Sequence, residues 1–90
     1  MAVTLAKALL TIKTEEEYAQ VMKDLMTPQE IRVLEERWRI AQMLEAGEQS
    51  YREIAAETGA SVTTIGRVAR FLKEEPYQGY RILLERTAKK

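Results

Sequence analysis

The stretch that most constrains the fold of this chain is residues 51–70, YREIAAETGASVTTIGRVAR. Ile54 and Ala55 share one face of a first short helix, and Gly59 follows where a turn needs a residue that tolerates a left-handed backbone. Apolar residues then return at every third position, at Val62, Ile65 and Val68. This spacing predicts a helix-turn-helix whose second helix packs on the first. An ordinary helical hairpin is the alternative, because glycine often follows a helix.

The second predicted helix carries short polar and cationic groups between its apolar positions. They are Ser61, Thr63, Thr64, Gly66, Arg67 and Arg70. Groups of this kind contact phosphates and base edges when such a helix enters the DNA major groove. The stretch therefore indicates a DNA-binding protein.

The composition excludes several other classes of function. The 90 residues contain no cysteine and no histidine, and no glycine-rich phosphate loop is present. Without these groups we expect no enzyme, no metal site and no cofactor. No apolar run is long enough to cross a membrane, and the N-terminus has too little positive charge for a secretion signal. We therefore expect a cytoplasmic protein with no membrane partner.

The net charge is zero, but the charge is unevenly distributed. Residues 1–36 hold four bases and seven acids, a net of −3, whereas residues 37–90 hold ten bases and seven acids, a net of +3. Between residues 60 and 73 there are three bases and no acid. The positive charge is thus local to the predicted recognition helix, which favours modest, salt-sensitive binding to DNA.

Periodicity and capping signals predict six helices and no strand. Thr14, Thr27 and Ser50 each precede a glutamate by three residues, as in a capping box, and Ser61 is expected to cap the recognition helix. The apolar residue Trp38 is expected in the core. The predicted helices span 3–12, 15–25, 28–46, the first motif helix after residue 50, 62–73 and 77–88, with Lys89 and Lys90 expected to fray.

We interpret residues 1–90 as one all-α domain. Residues 1–46 are expected to form dimerisation helices, residues 50–73 the helix-turn-helix, and residues 77–88 a C-terminal helix. The apolar stripes of the first two helices exceed what one short chain can cover. We therefore expect a homodimer, whose two-fold symmetry would place two recognition helices about one DNA turn, roughly 34 Å, apart.

The chain resembles the tryptophan repressor superfamily over residues 25–84. The matching segments are LMTP at 25–28, RWRI at 37–40, GEQS at 47–50, the helix-turn-helix, and Leu72-Lys73 with Pro76. Residues 9–17 and 79–86 are most similar to the YerC/YecD branch of that superfamily. The resemblance implies a six-helix fold, an intertwined homodimer and binding to operator DNA.

The resemblance also bears on a small-molecule effector. Thr27, Arg37 and Arg67 match positions that hold the tryptophan corepressor in the repressor. Val68 stands where the repressor has glycine against the indole, and Phe71 stands where it has a serine that contacts the ligand's amino group. Both larger side chains are expected to fill the indole space. We therefore predict that this protein does not bind tryptophan.

For the DNA contacts, the resemblance points to Arg52, Val62, Thr63, Thr64 and Gly66. The threonines can donate to or accept from base edges, and Val62 can touch a thymine methyl. Gly66 would permit a close approach of its backbone.

Arg52, Arg67 and Arg70 are better suited to phosphates than to bases. The alternative for these arginines is a surface ion pair, for example of Arg52 with Glu48 or of Arg70 with Glu74. We predict that replacing Thr64 changes sequence preference, whereas replacing Arg52 weakens binding to all sequences.

The leading hypothesis is a repressor-like transcriptional regulator that binds pseudo-palindromic double-stranded DNA. A helical protein-interaction module without specific DNA binding is the alternative, and the balanced net charge is natural for it. Binding to random-sequence DNA at two salt concentrations distinguishes them.

Overall fold

The computed structural model describes residues 2–88, within which the chain forms six α-helices and no strand. The helices are α1 (Leu5–Leu9), α2 (Glu15–Leu25), α3 (Pro28–Ala46), α4 (Tyr51–Thr58), α5 (Val62–Lys73) and α6 (Gly79–Ala88). The predicted all-α class and the number of helices are confirmed. The bounds predicted for α2, α3 and α5 are also those observed.

Two predicted helices are shorter than expected. The first, predicted over 3–12, is the single turn and a half of α1, which begins after the N-cap Thr4. The last, predicted over 77–88, begins only at Gly79, because Gln78 has a positive φ of 62° that helical backbone cannot adopt. The fraying predicted for Lys89 and Lys90 lies outside the described residues.

The predicted capping residues start their helices, with one change in detail. The Oγ atoms of Thr14, Thr27, Ser50 and Ser61 each accept from the backbone N–H three residues on. Glu30 and Glu53 complete reciprocal capping boxes. Glu17 instead accepts from the backbone N–H of Lys13 at 2.8 Å, one residue earlier than the box requires. The helix starts are thus set by local hydrogen bonds.

The described chain divides into an N-terminal unit, up to Arg32, and a C-terminal unit, from Val33. In the N-terminal unit no described residue is fully buried. Leu5 and Leu25 are 59% and 53% exposed, and they line an open groove of about 340 Å³ with Leu9, Ile12 and Val21. The apolar side chains of α1 and α2 therefore lack a core of their own.

The C-terminal unit contains the core. Its buried cluster joins α3, α4 and α5, and consists of Ile40, Ala41, Ile54, Ala60, Ile65 and Val68. Trp38 is partly buried and packs against this cluster, as expected from its place in the stripe. Burial of each large aliphatic side chain contributes about 1.5–3 kcal/mol. The α4–α5 pair is thereby held on the end of α3.

Polar side-chain contacts link separate segments on the surface of the C-terminal unit. Arg81 on α6 donates to Glu45 on α3 at 2.8 Å, and this hydrogen bond raises the pKa of the Arg81 guanidinium. Glu57 on α4 accepts from Gln49 at 2.7 Å and pairs with Arg39 at 3.4 Å. The side chains of both ion pairs remain partly exposed, so neither is expected to contribute much to stability.

Candidate nucleic-acid interface

The connection between α4 and α5 is three residues long and begins with a left-handed glycine. Gly59 has φ 82°, and its N–H bonds to the carbonyl of Ala55 at 2.9 Å. The buried Ala60 and the N-cap Ser61 complete the connection. The conformation predicted for Gly59 is the one observed, and it lets α5 turn back and pack on α4.

Helix α5 has one buried and one exposed face. Ile65, Val68, Ala69 and Leu72 are buried. Val62, which the periodicity placed on the packing face, is 51% exposed and does not belong to the core cluster. The packing role is therefore wrong for Val62, which is the first residue of α5 and whose side chain stays exposed there. Its exposed methyls remain available for contact with a thymine.

The candidate base-reading residues differ in how free their side chains are. Thr63 is exposed, and its hydroxyl makes no hydrogen bond to any residue within 2–88. Thr64 is half-buried, and its hydroxyl lies 3.0 Å from the Ser61 hydroxyl at the helix cap. Apart from its chain neighbours and the backbone of α5 itself, no described residue has an atom within 4 Å of an added Cβ at Gly66. The first turns of α5 thus present Thr63 and an open backbone at Gly66.

The three candidate phosphate contacts have different surroundings. Arg52 is exposed on the first turn of α4 and forms no ion pair with another described residue, Glu48 included. Arg70 pairs with Glu75 at 3.3 Å, not with Glu74 as the helical spacing suggested. The helix ends at Lys73, and the backbone N–H of Glu75 bonds back to the carbonyl of Arg70 at 3.1 Å. This turn carries Glu75 towards Arg70.

The end of α5 carries a cluster of aromatic rings and cations. The guanidinium carbons of Arg67 and Arg70 lie 4.5 and 5.1 Å from the centroid of the Phe71 ring. The ring of Tyr77 stacks on Phe71 with centroids 6.2 Å apart and planes 15° apart. This arrangement was not foreseen from the sequence, although the i, i+4 spacing of Arg67 and Phe71 permits contact on a helix.

The candidate effector residues have different surroundings, and each is described within its own unit. Val68 is 1% exposed and belongs to the core, and Phe71 is half-buried beneath the arginines. Arg37 is half-buried, and its Nε donor has no acceptor among the described residues. Thr27 lies in the N-terminal unit, where it caps α3. Phe71 also lines an open apolar groove of about 310 Å³ with Gly79, Tyr80 and Leu83.

The part of the chain that the structure describes has neither a cluster of metal ligands nor a membrane-spanning helix. No three His, Cys, Asp or Glu side chains there come close enough to hold a metal ion. None of its helices has the length and apolar character needed to cross a membrane.

The sequence profile of the Trp repressor protein family matches residues 3–88. The chain therefore belongs to the Trp repressor family, which is a family of regulators rather than enzymes. The all-helical fold described above is the fold expected for that family.

Individual relatives agree with this assignment. The chain is 43% identical over 68 residues to the uncharacterized protein YerC of Bacillus subtilis (strain 168), a match that covers 76% of this chain. It spans 64% of that relative's length.

Two solved structures share the fold at 36% sequence identity. One is a TrpR-like protein from Eubacterium eligens ATCC 27750, with a TM-score of 0.87 over 94% of this chain and 86% of that one. The other is a proposed Trp repressor from Staphylococcus aureus, with a TM-score of 0.85 over 96% of this chain and 84% of that one.

Proposed function

We propose that this protein is a sequence-specific DNA-binding transcriptional regulator, repressor-like, that reads pseudo-palindromic DNA as an intertwined homodimer. The α4–α5 pair is its helix-turn-helix, and α5 is the recognition helix. The observation that carries this proposal is the two-sided character of α5. One face is buried in the core, while the other exposes Val62, Thr63, Arg67 and Arg70, with no acid between residues 60 and 73.

The roles of the individual residues follow from their exposure. Thr63 and Val62 contact base edges. The Thr64 hydroxyl bonds to the N-cap Ser61 and still has a lone pair that can accept from a base. Gly66 has no side chain and therefore lets the DNA backbone approach α5 closely. Arg52, Arg67 and Arg70 contact phosphates, which set the register of the protein on the duplex.

The homodimer is supported by the N-terminal unit. Its apolar side chains surround a groove that none of residues 2–32 fills. A second copy that inserts its own apolar helices would remove this surface from water, at about 25 cal/mol per Å² of apolar area. The same two-fold symmetry would set the spacing of the two recognition helices.

Regulation by tryptophan is not part of the proposal. Val68 is buried in the C-terminal unit and Phe71 lies beneath the arginines. These larger side chains stand where the repressor has glycine and serine, and we expect them to fill the space that an indole would need. We expect isothermal titration calorimetry to show no tryptophan binding at micromolar concentration. Micromolar binding that also tightens DNA affinity would contradict this part of the proposal.

Selection from a random double-stranded DNA library, with and without added amino acids, tests the function. We expect an enriched pseudo-palindrome whose half-sites lie about one DNA turn apart, with affinity that falls steeply as salt rises. Arg52→Ala should weaken binding to all sequences and lower the salt slope by about 1 per subunit, whereas Thr63→Val or Thr64→Val should change the preferred sequence. Absence of any binding at low salt would favour the protein-interaction module instead.

A further inference from the structure

The cluster at the end of α5 suggests a role for a residue that does not itself contact DNA. Phe71 lies four residues after Arg67 and directly after Arg70, and both guanidinium groups approach its ring. Both arginine side chains are otherwise exposed, so in isolation they would sample many rotamers in water.

A guanidinium within about 6 Å of an aromatic centroid is attracted to the ring face. Here one ring serves two cations that both belong to the exposed side of α5. The ring is itself confined, because Phe71 is half-buried and Tyr77 stacks on it from the segment that follows Pro76. The cluster therefore restrains the directions in which two mobile cations can point.

We propose that Phe71 is a positioning residue for DNA binding, which orients Arg67 and Arg70 towards phosphates through contact of their guanidinium groups with its ring. This inference rests on the proposed function, since it assigns the two arginines to phosphates. Pre-orientation reduces the side-chain entropy that is lost when each phosphate contact forms. The ring must then raise affinity for DNA of any sequence and leave the preferred sequence unchanged.

The first measurement requires no DNA. Protons above an aromatic ring are shielded, so the side-chain Hε resonances of Arg67 and Arg70 should lie upfield of that of Arg52, which has no ring contact among the described residues. In Phe71→Leu, which keeps an apolar side chain but removes the ring, both should move towards the Arg52 value. In Phe71→Tyr they should stay upfield. Unshifted Arg67 and Arg70 resonances in the unaltered protein would overturn the proposal.

The second measurement is the salt dependence of DNA binding by the same three proteins. For Phe71→Leu we expect affinity about tenfold lower at low salt, since two subunits each lose a cation–π restraint worth a few-fold. The slope against salt should fall by less than it does for Arg52→Ala, because both cations remain but neutralise the phosphates less fully, and Phe71→Tyr should restore both the affinity and the slope. The sequence selected from a random library should be the same for all three.

Tyr77→Leu provides a second variant that does not disturb the core, because Tyr77 is 73% exposed. It removes the ring stacked on Phe71, and it should lower the DNA affinity and the salt slope by less than Phe71→Leu does. If the unaltered protein binds DNA while Phe71→Leu keeps its affinity and slope, the positioning role is wrong. If the unaltered protein binds no DNA, the proposed function itself fails and the phosphate role fails with it.

Discussion

At the scale of single residues, the exposed surface of α5 is organised by the groups that its arginines contact. Arg67 lies against the Phe71 ring, while Arg70 lies against the same ring and also pairs with Glu75 at 3.3 Å. The Arg70 and Glu75 side chains are 54% and 31% exposed, so the pair is weak in stability terms. In the proposed complex with DNA the pair matters more, because a phosphate would have to displace the Glu75 carboxylate from the Arg70 guanidinium or share the guanidinium with it.

Glu75→Gln is therefore expected to tighten DNA binding by a few-fold and to leave thermal stability nearly unchanged. The matched control is Glu74→Gln, which makes the same charge change at an exposed side chain with no ion pair in the described chain. Fluorescence anisotropy at several salt concentrations measures both. Equal gains for the two variants would show that only the net charge matters and that the Arg70–Glu75 contact does not compete with DNA.

At the scale of elements, the α4–α5 pair contains two glycines that differ in backbone conformation. Gly59 has a positive φ of 82°, which suits the turn, whereas Gly66 lies inside α5 with open space where a Cβ would be. Packing against more distant described residues requires neither glycine, since none of their atoms lies within 4 Å of an added Cβ at either position. The two differ in backbone conformation and in whether they face the proposed DNA surface.

Gly66→Ala should therefore separate stability from binding. A helical alanine in place of glycine is expected to raise the free energy of unfolding by about 0.5–1 kcal/mol. If DNA approaches the backbone at this point, the added methyl should lower affinity at least several-fold. Chemical denaturation and gel-shift titration measure the two quantities. A variant that is more stable and binds equally well would remove Gly66 from the interface.

Gly59→Ala is the counterpart in the turn. An L-residue forced into the left-handed region costs about 1–2 kcal/mol, so this variant should unfold at lower denaturant concentration. Its DNA affinity should be affected only through the population of folded protein. An unchanged denaturation midpoint would contradict the conformational role given to Gly59.

At the scale of the whole molecule, burial is divided unequally between the two units. The C-terminal unit has a core of aliphatic residues, whereas the N-terminal unit has no fully buried residue among those described. Apolar helices that remain half-exposed are costly in water. The N-terminal unit is therefore the part of the chain expected to depend on a second copy.

The proposed dimer makes stability depend on protein concentration. We expect Tm to rise with concentration, because association stabilises only the folded chain. Leu25→Glu, which places a charge at the edge of the apolar groove, should shift the molecular mass measured by light scattering towards the monomer. Glu16→Gln, on an exposed polar position of α2, should not. A monomeric unaltered protein with a concentration-independent Tm would contradict the dimer.

Helix bounds and caps were the most predictable features of this chain. Three helices begin and end where predicted, because caps such as Thr27 with Glu30 act within four residues of sequence. The errors lie where backbone geometry departs from a local signal. At α6 a left-handed Gln78 delays the helix, and at α1 one short apolar run supports only five residues of helix.

The helices that carry the candidate interface residues were predictable from the sequence, but the contacts of these residues were not. Periodicity and charge identified residues 51–70 as a helix-turn-helix, and the resemblance singled out Arg52, yet Val62 proved exposed rather than packed. The helical spacing suggested Glu74 as the partner of Arg70, but α5 ends at Lys73 and the chain turns there, so that Glu75 makes the contact. Such contacts depend on where a helix ends, to within a single residue.

The sequence by itself determined the helical class, the caps and the α4–α5 turn, because hydrophobic period, capping hydrogen bonds and a left-handed glycine are all local. Only the tertiary structure decided that Val68 is sealed in the core and that one ring, Phe71, lies against two arginines and Tyr77. Packing between α5 and its neighbours, and the turn around Pro76, set these relations. The pattern of apolar and charged residues along the sequence does not specify the distances between these residues.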